Sequence, residues 1–121
     1  CNCIGLQESG NLTFQVTEST DDAEESETEG VMYTTSSDLE LVFDAFAGQN
    51  NQTIGIRFGS VGLPENASVL DARIQFTTDE TGSDPTNLLI KGELSSSSTT
   101  FSESVLFDIT GRPQTFTAVQ W

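Results

Sequence analysis

Apolar residues in this chain alternate with polar ones in short runs, and a period of two commits those runs to β-strands. "NLTFQVT" puts Leu12, Phe14 and Val16 on one side of an extended segment. "DLELVFD" does the same with Leu39, Leu41 and Phe43, and "QTIGIRF" with Ile54, Ile56 and Phe58. "SVLDARIQFT" aligns Leu70, Ala72, Ile74 and Phe76. "NLLIKGEL", "ESVLFDI" and "TFTAVQW" add Leu88 and Ile90, then Val105, Phe107 and Ile109, then Val119 and Trp121. Clusters such as "AGQNNQ", "GSVGLPENAS", "DETGSDPTN", "SSSSTT" and "TGRPQ" separate the runs with turn-forming residues. Roughly seven to nine short strands at this spacing predict an all-β fold, an antiparallel β-sandwich of jelly-roll type. Leu39, Leu41, Ile54, Ile56, Phe58, Ile74 and Phe76 are the expected core. Arg57, Arg73, Asp38 and Glu40 fall on the opposite face of their strands, where they could form a ladder of ion pairs.

The 121 residues suit one compact domain with a real core. Residues 15–121 hold it; residues 1–14 read as an N-terminal arm and the start of the first strand. The chain opens on Cys1 rather than Met, which fits an exported, processed chain or an excised piece. Both cysteines, Cys1 and Cys3, lie in "CNC", too close for an unstrained mutual disulfide on an extended strand. They bond to another chain or module, or Cys1 carries a lipid, or both are free thiols. Ile4 and Leu6 are apolar residues on a segment too short to fold alone, so the arm is a linker or reaches a neighbouring copy. The last strand runs directly into Trp121.

Charge is distributed unevenly. Residues 1–44 carry eleven acids and no Lys or Arg; residues 45–121 carry eight acids against Arg57, Arg73, Lys91 and Arg112. A net charge of −15 excludes a nucleic-acid partner and disfavours anionic membranes and acidic polysaccharides unless a cation bridges them. No run approaches the ~20 apolar residues of a membrane-spanning helix. Acidity peaks in "TESTDDAEESETEG", Thr17 to Gly30, with seven acids and no base. Left free, such a segment repels itself and stays disordered, so something must hold it. Four bases cannot neutralise nineteen acids. Ca²⁺ takes six to eight oxygens and suits carboxylate clusters on loops. The candidate ligands are Asp21, Asp22, Glu24 and Glu25, then Asp38 and Glu40, then Asp79 and Glu80 with Asp84 on a turn. None has EF-hand spacing, and a solvated acidic face is the plain alternative.

Catalysis has little to work with. The absence of His removes a Ser–His–Asp triad, and two near-adjacent Cys do not make a tetrahedral zinc site. Carboxylates are too abundant for any pair to mark a glycosidase, so a non-enzymatic role is expected. Sugar binding calls for exposed aromatic platforms; Tyr33, Phe46 and Trp121 are the candidates. Asn11, Asn51 and Asn66 each begin an N-x-[ST] sequon, so glycans could be carried rather than bound.

The runs "TDDAEES", "YTTSSDLELVFD", "QTIGIRFGSVGLPENASVLDARIQFTTDET", "LLIKGE", "TFSE" and "ITGRPQTFTAVQW" keep their order and spacing over residues 15–121. In that layout the chain resembles the DNRLRE-type, carbohydrate-binding-module-like jelly rolls of secreted bacterial proteins. The resemblance implies an extracellular β-sandwich, often in tandem, sometimes beside carbohydrate-active enzymes, and supplies no catalytic residue. The expectation is a structural module that joins copies of itself, helically or head to tail, into an extracellular or cell-surface fibre. Contacts between subunits would come from Cys1, Cys3, Ile4, Leu6, Leu12 and Phe14. The alternative is a carbohydrate-binding module.

Overall fold

The computed structural model describes residues 10–44, 50–79, 81–82 and 85–121. Among these the fold is all-β, without a helix. Six strands run in chain order: β1 (Asp22–Ser26), β2 (Met32–Tyr33), β3 (Phe43–Asp44), β4 (Asn50–Ile56), β5 (Leu89–Ile90) and β6 (Val119–Gln120). They form two antiparallel sheets, one ordered β2-β1-β4-β3 and the other β5-β6. Leu88 and Trp121 extend the smaller sheet by exchanging backbone hydrogen bonds at 2.8 and 3.0 Å. No helix of the described residues is long and apolar enough to cross a membrane.

The acid-rich segment is an interior strand. β1 lies between β2 and β4, and every residue of β1 has a partner in β4, from Asp22 opposite Ile56 to Ser26 opposite Gln52. Its hairpin to β2 closes where the Gly30 amide donates to the Ser26 carbonyl and the Ser26 amide to the Val31 carbonyl. Gly30 sits at φ +67°, a left-handed conformation that favours glycine. A Cβ there would also meet the Phe107 ring at 2.5 Å.

The register decides which side is covered. Residues directly opposite share a face, so Ala23 with Gly55 and Glu25 with Thr53 point one way, and Glu24 with Ile54 and Ser26 with Gln52 the other. Both faces carry buried side chains, Ala23 and Glu25 on one and Glu24, Ser26 and Gln52 on the other, but the apolar cluster forms on the Ala23–Gly55 face. Ala23, Met32 and Phe101 make the core, with Ile109 packed against them. Gly55 admits this packing because a Cβ would lie 2.6 Å from the Phe101 ring and 2.9 Å from Ile109.

The expected core is therefore corrected. Leu39, Leu41, Ile54, Ile56 and Phe76 are half-buried, while Phe58 and Ile74 are 37% and 44% exposed. Ile54 and Ile56 do alternate as expected, but the apolar cluster of Ala23, Met32 and Phe101 forms on the other face. The expected ion-pair ladder is replaced as well. Arg57 bonds Asp21, Arg73 pairs with Asp71, and Asp38 accepts the hydroxyls of Ser36 and Ser37.

Several expected strands are absent from the described residues. The runs at 11–17 and 68–77 keep their alternation but belong to neither sheet. Alternation records only a local preference, and a strand exists when a partner saturates its backbone. The run at 103–109 is instead a chain of turns, with Phe107 at φ +57° and its amide donated to the Gly30 carbonyl at 2.8 Å.

This distribution of burial predicts unequal responses to truncation. Phe101→Ala should lower the unfolding free energy by about 3–5 kcal/mol. Phe58→Ala should lower it by roughly 1 kcal/mol or less, because much of that ring already meets water. Urea unfolding of both variants checks this; equal losses would contradict the assigned core.

Candidate functional site

Carboxylates hold the acidic segment by capturing backbone amides. Glu25 is 0% exposed. Its side chain accepts the Ile109 amide at 2.6 Å, the Thr110 amide at 3.1 Å and the Thr110 hydroxyl. Glu24, on the opposite face, accepts the Glu40 amide at 2.6 Å. The pattern extends beyond β1. Glu103 accepts the amide and hydroxyl of Thr34 at 3.0 and 3.1 Å, and Asp108 accepts the Ser102 amide at 2.9 Å. A carboxylate is a charge-assisted acceptor, so it fixes a turn whose N–H groups have no sheet partner.

Two arginines complete the frame. Arg57 reaches Asp21 at 2.6 Å and the Ser98 carbonyl at 2.8 Å, and Asp21 is buried. Arg112 lies over the Phe101 ring, 4.6 Å from its centroid. Its guanidinium donates to the carbonyls of Thr99, Thr100 and Asp108 and to the carboxylates of Glu93 and Asp108. Its planar fork of five N–H donors matches that set of acceptors, which a lysine could not do.

A cleft of about 1150 Å³ opens beside these anchors. Ile54, Ile56, Phe58, Ile74, Phe76 and Ile90 give it an apolar lining, and Arg57, Lys91 and Arg112 give it a basic one. Gln52 also lines it. That side chain is buried, and neither its amide nitrogen nor its oxygen has a hydrogen-bond partner among the described residues.

The residues anticipated as metal ligands are dispersed. Asp21, Glu24 and Glu25 are buried in the contacts just described, Asp22 and Asp38 are half-buried, and Asp79 is exposed. Glu40 is half-buried, and Glu80 lies outside the described residues. Among the described residues no three or more His, Cys, Asp or Glu converge as metal ligands. Of the anticipated contacts between subunits, Cys1, Cys3, Ile4 and Leu6 lie outside the described residues. Leu12 is 59% exposed and Phe14 half-buried. Of the anticipated sugar contacts, Tyr33 is half-buried on β2, Phe46 lies outside the described residues, and Trp121 is 62% exposed. Gln52 and the Glu25–Thr110 contact carry no sequence signal, since neither lies in a motif.

If amides hold β1, Glu25→Ala should destabilise by about 3 kcal/mol or more, because buried donors lose a charged acceptor. Glu27→Ala, on the exposed hairpin turn, should stay within roughly 0.5 kcal/mol. A chelator should leave the melting temperature of the unsubstituted chain unchanged; a fall would reveal a cation bound to the native state. Thermal melts of the three samples decide the matter.

In comparisons with protein-family models, curated proteins and solved structures, the chain has no match.

Proposed function

We propose that this chain is a non-enzymatic structural module of β-sandwich type that assembles with copies of itself into an extracellular or cell-surface fibre through its N-terminal arm. The carrying observation is the state of that arm. Gly10–Val16 makes no hydrogen bond to another described residue, yet it carries the alternation of a strand and leaves Leu12 largely in water. Open sheet edges accompany it. Among the described residues β2 and β3 each have one unpaired side, and β5 and β6 form a sheet that is all edge. An unpaired strand and an open edge are complementary, and pairing them between copies removes both liabilities. Head-to-tail pairing of this kind propagates when its rotation does not close. Cys1 and Cys3, at the start of the same arm, would be carried into the neighbour and could bond there. In this reading most of the acids are solubilising or anchor backbone turns.

Trp121 favours a second reading. Its ring is largely exposed and sits 6.0 Å from Phe76, tilted by 36°, a small aromatic platform of the kind sugars stack on. It is the chain's single Trp, so its fluorescence reports directly on any sugar that binds there.

Deleting residues 1–16 separates the two. The assembly reading expects fibres from the intact chain and monomers from the truncated one, by electron microscopy and size-exclusion chromatography. Intact protein that stays monomeric, with Trp121 fluorescence that saturates on adding an oligosaccharide, would replace assembly with carbohydrate binding.

A further inference from the structure

We infer that the cleft bordered by Ile54, Ile56, Ile74 and Phe76 is the acceptor groove for the Asn11–Thr17 segment of a second copy. The inference rests on the assembly reading and names the surface that reading leaves open. Four observations lead to it.

The first is volume. About 1150 Å³ exceeds the roughly 300–1,000 Å³ of small-molecule pockets and suits a length of polypeptide. Among the described residues, none before Leu41 lines the cleft, so Asn11–Thr17 of the same chain does not fill it.

The second is Gln52. A side-chain amide that is 5% exposed, with both polar atoms unpaired, loses its hydration with nothing in return. An occupant that offers one N–H and one C=O side by side would satisfy both atoms. An extended backbone offers that pair at every second residue, whereas an apolar ligand offers neither.

The third is the presence of two unpaired, strand-patterned segments in one chain. "NLTFQVT" has no partner, and "SVLDARIQFT", which sends Ile74 and Phe76 into the cleft lining, has none either. Laying the first beside the second would convert both into strands and place Leu12, Phe14 and Val16 against the apolar wall.

The fourth is charge. The donated segment is itself uncharged and leads into Glu18 and the acidic stretch beyond it. The cleft lining holds three of the four basic residues, and Lys91 among them is exposed and has no carboxylate partner among the described residues. Arg57 and Arg112 are already paired with Asp21, Glu93 and Asp108, so it is Lys91 that the acidic flank of an incoming arm meets, which favours approach of an arm.

Two double variants of the full chain test the inference. An arm variant carries Leu12→Asp and Phe14→Asp, with its cleft intact. A cleft variant carries Phe58→Glu and Ile74→Glu, with its arm intact; the residues are 37% and 44% exposed, so circular dichroism should match the unsubstituted chain and the melting temperature should fall only slightly. Each variant alone should remain monomeric. Mixed, they should form a one-to-one dimer that grows no further, because the intact arm of the cleft variant fills the intact cleft of the arm variant. Adding Gln52→Leu to the arm variant should weaken that dimer by about tenfold through the lost backbone contact. Fibres from the cleft variant alone would overturn the acceptor assignment while leaving arm-driven assembly in place. Fibres from the arm variant would overturn arm-driven assembly itself. Two monomeric variants that fail to combine, or an unsubstituted chain that stays monomeric with its arm protected from hydrogen exchange, would overturn donation to a second copy. A Gln52→Leu dimer of unchanged affinity would overturn the role given to Gln52.

Discussion

A fully buried carboxylate held by backbone amides is the constraint on which the rest of this structure depends. Glu25 sits in the middle of the interior strand β1, and its ionised form needs donors to replace the water it has lost. The donors are the Ile109 and Thr110 amides and the Thr110 hydroxyl, eighty-four and eighty-five residues along the chain. For them to converge, the segment around Phe107 must fold as turns instead of a strand. That turn then lays Phe107 across Gly30 and brings Ile109 against the Gly55 face. Asp21 and Arg57 close the same face at its other end. The small apolar core of Ala23, Met32 and Phe101 lies on that framed face.

The acidity of the N-terminal third thus has an architectural use. Acids at Glu24, Glu25, Glu103 and Asp108 stand in for strand partners, each accepting an amide that no ladder reaches. Arg112 does the converse, donating to carbonyls that have no ladder partner of their own. These contacts pack a turn segment against one face of the β1–β4 pair, and Ile54 and Ile56 border an open cleft. A sheet with apolar residues bordering an open cleft is a unit that gains from a further strand, and that is the physical basis of the proposed assembly.

Much of the strand chemistry was legible in the alternation. The run at 52–58 predicted β4, and "NLLIKGEL" and "TFTAVQW" contain β5 and β6, although their pairing with each other was not legible. Gly30 and the turn clusters marked chain reversals. Other parts were not legible. "DAEES" has no apolar alternation, so nothing local identifies β1; its strand character comes from neighbours on both sides. Gln52 reads as an ordinary polar strand residue until its burial is known. The runs at 11–17 and 68–77 carry as clear a pattern as β4 but find no partner within the described chain.

The sequence by itself determined an all-β chain, an acidic first third without bases, and an apolar arm with strand character. Those properties are local: a period of two, a composition, a run of side chains. Tertiary structure decided which face of each strand is covered. Alternation sorts residues into two faces and does not say which one meets a partner, because that depends on register against strands distant in sequence. With Ala23 opposite Gly55, the small side chains admit Phe101 and the isoleucines are left at the cleft. It also decided what the acids do, because a carboxylate becomes an anchor only when folding brings an unpaired amide within hydrogen-bonding distance.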